Sequence, residues 1–250
     1  MNDLITIRAF KPSEDPASYS AYLEGHQAVL TELGVLSVVK PNGHRPAPPD
    51  TMILVAEHAE LGMVGGIRIE RAGPQHRLPI QQALGSIDPR IDGVIGDMEA
   101  AGCGEICGLW NTARYAGRGV PQLLSEAAVS MVHHLGMQHL VCFVAHYTLR
   151  HALKVGFQLL DNLGDGGSFN YPIPRIRSFA MVIPDTLVLA TAPGNWRTRI
   201  LSLRCRPTQD RIEAPTGIPY AVRYRLQSVA GEHYQPLFHH IAEEQAALRA

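Results

Sequence analysis

The chain has no excess of either charge: 22 Lys and Arg stand against 23 Asp and Glu, for a formal net charge of −1. A nucleic-acid binder usually carries a basic surplus, so nucleic acid is excluded as the main partner. Long hydrophobic runs are also missing. None reaches the roughly 20 residues needed to cross a bilayer, and the opening "MNDLITIRAF" has neither a basic n-region nor a cleavable apolar stretch. The expectation is a cytoplasmic protein with no membrane partner. Cysteine is sparse, with four residues at Cys103, Cys107, Cys142 and Cys205. Cys103 and Cys107 have no second pair at ligand spacing, so no metal site is expected, and the thiols should be reduced and mostly buried. There is no internal repeat and no low-complexity segment.

What is present suits an ordinary globular protein. Of 250 residues, 46% are apolar and 18% charged, enough for one large domain or one domain with an appendage. "LITIRAF" alternates and reads as a strand, and "SYSAYLEGHQAVLTELG" as a helix stopped by glycine. Met52 to Glu57 and Met63 to Arg71 read as a β-hairpin. The stretch from Ala72 to Ala101 reads as loop with one or two short helices, the first being "PIQQAL". "GEICGLW", "HLVCFVA", "FQLLDNL" and "SFAMVIP" read as strands. "VPQLLSEAAVSMVHHLG" and "YTLRHALKVGF" read as helices, and "GDGGSFNYPIPRIR" as irregular. Beyond Asp185 the character changes. "NWRTRILSLRCRP" and "YAVRYRLQSVA" look like an alternating hairpin, and "EHYQPLFHHIAEEQAALRA" like a terminal helix. The expected organisation is a main domain over 1–185 and a C-terminal extension over 186–250, sharing the main sheet or a subunit interface.

One segment carries chemistry. Strand "GEICGLW", loop "NTARYAGRG", helix "VPQLL" and strand "HLVCFVA" form a strand–helix–strand unit whose two strands should be parallel neighbours. Gly117 and Gly119 permit positive φ and close approach to the backbone. The first helical turn leaves N–H groups without internal acceptors, and the helix dipole favours an anion there, typically a phosphate. Arg114 and Arg118 add charge. The dinucleotide fingerprint is not met, because "GRGVPQ" ends in glutamine, and no G-K-[ST] follows for a P-loop.

The pattern [Q/R]-x-x-G-x-[G/A], read as "RYAGRG", resembles the acyl-carrier pyrophosphate loop of the Gcn5-related N-acyltransferases (GNAT). A preceding hairpin and a following strand and helix ending "KVGF" extend the resemblance over about Leu4 to Asp185. It implies a mixed, mostly antiparallel α/β (α+β) GNAT fold with helices on the sheet, extended by the C-terminal hairpin and helix. It implies acyl-CoA, or the phosphopantetheine of an acyl carrier protein, as co-substrate. The pantetheine would lie along Leu109, Trp110 and Asn111. The pyrophosphate would meet Arg114, Tyr115, Ala116, Gly117, Arg118, Gly119 and Val120. The reaction would be direct attack of a neutral amine on the thioester. Glu105 stands where many members place a catalytic base, with Asp97 and Glu99 as back-ups. The family's frequent tyrosine acid is replaced by Ala152, and Tyr147 or His146 are the substitutes.

"EICGLW" and the Pro-rich insert before it resemble acyl-homoserine lactone synthases and N-acyl amino acid synthases. Cys107 and Gly108 depart from that pattern, and Gly108 would open space beside the thioester. Arg175 and Arg177 are candidates for binding an acceptor carboxylate, for which a solvated loop accounts equally simply; the arginines of "RTRILSLRCRP" are candidates for meeting an acidic carrier protein, for which a solvated strand face is the simpler account. The implied partners are a small-molecule amine, with acyl carrier protein and a homodimer left open. The histidine pairs His133–His134 and His239–His240 sit at adjacent helical positions, which point about 100° apart and do not converge on a metal. Two competing classes are a non-catalytic acyl-CoA-binding sensor or scaffold and a thiol hydrolase built on Cys107 or Cys142.

Overall fold

The computed structural model describes residues 4–36 and 47–227. The strands are β1 (Leu4–Phe10), β2 (Met52–His58), β3 (Gly62–Arg71), β4 (Cys103–Asn111), β5 (His139–Ala145), β6 (Gln158–Leu159), β7 (Ser168–Asn170), β8 (Arg177–Ile183), β9 (Thr208–Glu213) and β10 (Tyr220–Arg225). The helices are α1 (Pro16–Glu32), α2 (Pro79–Leu84), α3 (Arg90–Glu99), α4 (Val120–Val132), α5 (Leu149–Val155) and α6 (Gly194–Cys205). All ten strands form one sheet, in the order β6-β8-β5-β4-β3-β2-β1-β10-β9, with β7 also on β8. Two pairings are parallel, β4 with β5 and β1 with β10, and the others are antiparallel.

Helices cover both faces. On one, α4 lies against β2, β3 and β4, with α5 and α6 packed on it. It is buried almost all round: Leu123, Leu124, Val129 and Val132 are fully inaccessible, each stabilising by about 1.5–3 kcal/mol relative to exposure. On the other face, α1 seats Tyr22 against Phe10, Ile53, Val55 and Trp110. Beside it, α2 and α3 pack Ile80, Leu84, Ile91 and Ile95 against Val141, Ala180 and Val182. The start of α1 follows from local chemistry: the Asp15 carboxylate accepts the Ser18 amide at 3.0 Å, and Pro16 opens the first turn.

The segment after Asp185 continues the same sheet through β10 and β9. Its first arm differs from the sequence expectation, because "GNWRTRILSLRC" is helix α6, not strand. The alternation in "RILSLRC" also satisfies helical spacing, which buries Ile200, Leu203 and Arg204 together. The hairpin is built one element later, from β9 and β10. The α6 arginines are internal clamps. Arg204 is buried and donates to the Thr186 and Leu187 carbonyls. Arg199 binds Glu126 of α4 at 2.8 Å and also Glu213 of β9. The stretch expected to be irregular before β8 supplies the short strand β7. The expected terminal helix and His239–His240 lie outside the described residues.

Candidate active site

The central parallel pair is short. β4 and β5 are in register only at Cys103–His139, Gly104–Leu140 and Glu105–Val141, after which the strands part. At the same point the β3–β4 ladder slips: Arg68 faces Cys107 and Gly66 faces Trp110, so Gly108 and Leu109 together oppose one residue. That is a β-bulge, and Gly108 adopts φ +58° to make it.

The bulge is held from α1. The Tyr22 hydroxyl donates to the Gly108 carbonyl at 2.9 Å, and a Cβ on Gly108 would stand 2.3 Å from that hydroxyl. The room that a missing side chain would leave beside the bulge is therefore filled by Tyr22. Sequence inspection could not foresee this, because the two residues are 86 positions apart.

Two cavities meet at the split. The first, about 180 Å³, runs between Ile106–Leu109 of β4 and Cys142–Ala145 of β5, towards Ser125 of α4 and His151, Ala152 and Val155 of α5. The second, about 430 Å³, lies on the opposite face under α1 and α2 and is lined by Arg68, Glu105, Tyr171 and Ile176 among others. His26, Cys107, Gly108, Phe143, Ala145 and Tyr147 line both. The two cavities thus share walls where β4 and β5 separate.

Glu105 sits at the last paired position, buried, in the wall of the larger cavity. Its Oε2 accepts the Ile80 amide at 2.8 Å. Burial pushes its pKa up to about 8, and neighbouring Glu70 adds to the rise, while the Ile80 amide and Arg68 oppose it. Glu70 faces Glu105 across the ladder. Its two oxygens are taken by Arg68 Nε at 2.7 Å and His76 Nε2 at 2.8 Å. Arg68 Nε also lies 3.4 Å from Cys107 Sγ, whose thiol burial drives well above its ordinary pKa. A neutral Cys107 is a poor nucleophile, which counts against the thiol-hydrolase alternative at that position. Burial likewise drives the Cys142 thiol up.

Tyr147 is half exposed and faces both cavities. His146, edge-on to it at 5.2 Å, is exposed and outside both linings. Arg175 and Arg177 are exposed as well. Arg177 donates to Ser168 Oγ at 2.9 Å and covers the Phe179 ring, away from both cavities. The two groups that face the junction and that sequence reading missed are Arg68 and His26. Each sits in an element that reads as ordinary strand or amphipathic helix. His26 is held neutral by burial, its pKa lowered to about 4.

Ahead of α4, Ala113–Tyr115 form a 3₁₀ turn, and Gly117 and Gly119 take φ of +76° and +78° before the helix begins. Among the described residues the amides of Gly117, Gly119 and Val120 have no acceptor within the chain. A Cβ on Gly117 would meet nothing within 4 Å. These open amides at the start of a 13-residue helix fit an anion such as a diphosphate. Ala116 and Arg114 are exposed, whereas Tyr115 is core, its ring 5.9 Å from His58. Arg118 stacks over the Tyr220 ring, and the Tyr220 hydroxyl donates to its carbonyl at 2.9 Å. Leu109 lines the cleft, Trp110 turns its indole under α1, and the Asn111 amide donates to the Thr112 carbonyl at 3.1 Å.

No protein-family model matches the chain, and no curated protein matches it in sequence. Solved structures do share its architecture. One is the CoA-dependent acyl-homoserine lactone synthase MesI, at 13% identity and TM-score 0.51, over 79% of this chain and 94% of that one. Another is the CoA-dependent acyl-homoserine lactone synthase BjaI, with SAM and isopentyl-CoA, at 14% identity and TM-score 0.51, over 90% and 97%. A third is an acyl-CoA N-acyltransferase from Pseudomonas aeruginosa, at 13% identity and TM-score 0.50, over 71% and 98%. At such identities the likeness is one of fold, and the chain has the GNAT fold. No helix among the described residues is long and apolar enough to cross a membrane.

Proposed function

We propose that the protein is an N-acyltransferase that moves an acyl group from acyl-CoA, or from an acyl carrier protein, to the amine of a small molecule. The observation that carries this reading is the pair of cavities that share walls at the β4–β5 split: a buried carboxyl of raised pKa lines the larger, and the smaller reaches Ser125 of α4, the helix whose entrance holds the open amides. The diphosphate of the donor sits on the Gly117–Val120 amides. Its pantetheine follows the freed edge of β4 past Leu109, and the thioester reaches the bulge.

The amine enters from the α1–α2 face. An alkylamine is mostly protonated near neutral pH, and its lone pair attacks only after a proton leaves. Glu105, in its ionised form and made more basic by its raised pKa, takes that proton directly or through water. The nitrogen bonds to the carbonyl carbon, and the oxyanion is met by an N–H of β4 at the bulge, where Gly108 and Leu109 fall out of the β3 ladder. Collapse breaks the carbon–sulfur bond. Tyr147, the phenol that faces both cavities, protonates the departing thiolate, and the second proton shed by the nitrogen as the amide forms returns to the phenolate through water.

The test is release of free thiol from acyl-CoA on addition of a panel of amines to the full chain. The expected result is amine-dependent thiol release with the N-acyl product seen by mass spectrometry. Tight acyl-CoA binding with no turnover of any amine would favour the sensor reading instead.

A further inference from the structure

Helix α1 sends one side chain into the wall that the two cavities share. Leu23 and Leu30 line the larger cavity alone, whereas His26 also reaches the lining of the smaller one, beside Gly108 and Leu109. Its ring stacks on Tyr22, with centroids 6.2 Å apart and planes 18° from parallel. Tyr22 in turn donates to the Gly108 carbonyl at 2.9 Å. These contacts hold His26 over the bulge. Its Cε1, the carbon between the two ring nitrogens, lies 3.7 Å from where a Cβ on Gly108 would stand.

Stacking holds the ring, and hydrogen bonding does not. Among the described residues neither ring nitrogen has a hydrogen-bond partner. Polar groups withdrawn from water are ordinarily paired, because losing water without a replacement is costly. Burial and the nearby Arg68 cation keep the imidazole neutral, its pKa lowered to about 4. A neutral imidazole always keeps one N–H. The other polar side chains common to both linings have other tasks: Cys107 lies 3.4 Å from Arg68 Nε, and Tyr147 faces the departing thiolate. The junction therefore holds a side-chain donor that the fold positions and does not consume.

Negative charge develops on the thioester oxygen as the nitrogen adds, and donors fixed in advance are worth most there. Resting on the acyltransferase reading for where the thioester lies, we infer that His26 is a catalytic residue whose N–H donates to the thioester carbonyl oxygen, and more strongly to the oxyanion that it becomes. It joins the β4 amide freed at the bulge, so that the oxygen meets one backbone and one side-chain donor. The proton stays on the ring throughout, and His26 is neither the base nor the acid. Neutrality suits the role, because the donor does not change over the pH range in which Glu105 titrates near 8. Tyr22 is a positioning residue: it stacks the ring and pins the bulge carbonyl, which keeps both donors in one frame.

Infrared spectroscopy of butyryl-CoA, isotope-labelled at its carbonyl carbon and bound to the full chain without any amine, tests this. A hydrogen bond into a carbonyl lowers its stretching frequency. The wild-type band should lie below that of free butyryl-CoA. In His26→Phe it should move back towards the free value, and in His26→Gln, whose amide can still donate, it should lie between. Both variants should bind coenzyme A as the wild type does. With an amine that the wild type acylates, kcat should fall at least about 100-fold in His26→Phe and less in His26→Gln, with KM for butyryl-CoA little changed. If His26→Phe does not fold, His26→Asn, whose amide is too short to reach, takes its place. The same carbonyl band in wild type and variant, with butyryl-CoA bound to both, overturns the inference and leaves the transfer reading standing. A band that depends on His26, with no turnover of any amine, overturns the transfer reading and keeps the carbonyl contact. Failure of the wild type to bind butyryl-CoA overturns both.

Discussion

Glu105 combines complete burial, one amide hydrogen bond and a like-charged neighbour across the ladder. Its pKa near 8 predicts how both rate and stability respond to pH. With a weakly basic acceptor that is neutral throughout, turnover should rise with pH through an inflection near 8. Glu105→Gln should lower turnover at least about tenfold and abolish that inflection, with coenzyme A affinity unchanged. A wild-type pH–rate curve in the variant would remove Glu105 as the base. The stability effect has the opposite sense. The folded pKa lies above the ordinary 4.5, so between about 4.5 and 8 the unfolded chain ionises while the folded chain stays protonated. Glu105 therefore costs nothing in acid, and its penalty grows as pH rises to about 8. Glu105→Gln should raise the melting temperature at pH 8 and leave it unchanged at about pH 4. Gly108 makes a second case at this scale. Its φ of +58° and the 2.3 Å approach of Tyr22 to any Cβ predict that Gly108→Ala loses at least about 1–2 kcal/mol in urea unfolding. Adding Tyr22→Phe should return part of that loss, because the clashing oxygen is gone.

Between elements, the loop before α4 and the α4–α6–β9 contact carry the argument. Gly117→Glu puts a carboxylate where the open amides face an anion, and coenzyme A binding should be lost by calorimetry while the fold survives. Glu126 of α4 and Glu213 of β9 are both buried against Arg199 of α6, and Glu213 also has Arg211 at 3.7 Å and the Tyr224 hydroxyl at 3.1 Å. Arg199→Met leaves Glu126 without a cation and should cost about 3–5 kcal/mol. Burial lifts Glu126 to about 7, so the deficit should be largest above that pH and shrink towards about pH 5, where the group is protonated. A deficit independent of pH would count against this account. These examples also indicate what can be read in sequence. The helices α1, α4 and α5 and the central strands follow from apolar spacing, glycine stops and proline starts, and the anion loop from two glycines at a helix entrance. The arms of the site that come from afar do not. Tyr22, His26 and Arg68 lie on elements whose patterns are explained by packing alone, and only the bulge and the split bring them to Glu105. The α6 segment fails for a different reason: its apolar residues suit both periods, and the buried arginines that decide for helix look like surface charge in one dimension.

Among the described residues, at the scale of the whole molecule, the strands make one continuous sheet whose outer hairpin, β9–β10, docks on β1 and rests its Pro215 against Gly119 of the anion loop. We propose that residues beyond 185 are required for both the sheet and the loop. Truncation at Asp185 should strip β1 of its parallel partner and remove the Tyr220 hydroxyl from the Arg118 carbonyl. The expected outcome is an insoluble product, or a soluble one whose coenzyme A affinity falls at least about tenfold. A truncated chain that stays monomeric and binds coenzyme A like the full one would show the hairpin to be an independent appendage.

The parallel pairing of Leu4 with Ala221 also sets a timetable for synthesis. β1 leaves the ribosome well ahead of β10 and cannot complete its ladder until that last described strand has followed it out. Throughout translation its outer edge stays available to any neighbouring nascent chain. Slow production, or loss of the chaperones that shield such edges, should therefore reduce the yield of native protein more than the stability of the finished molecule would suggest.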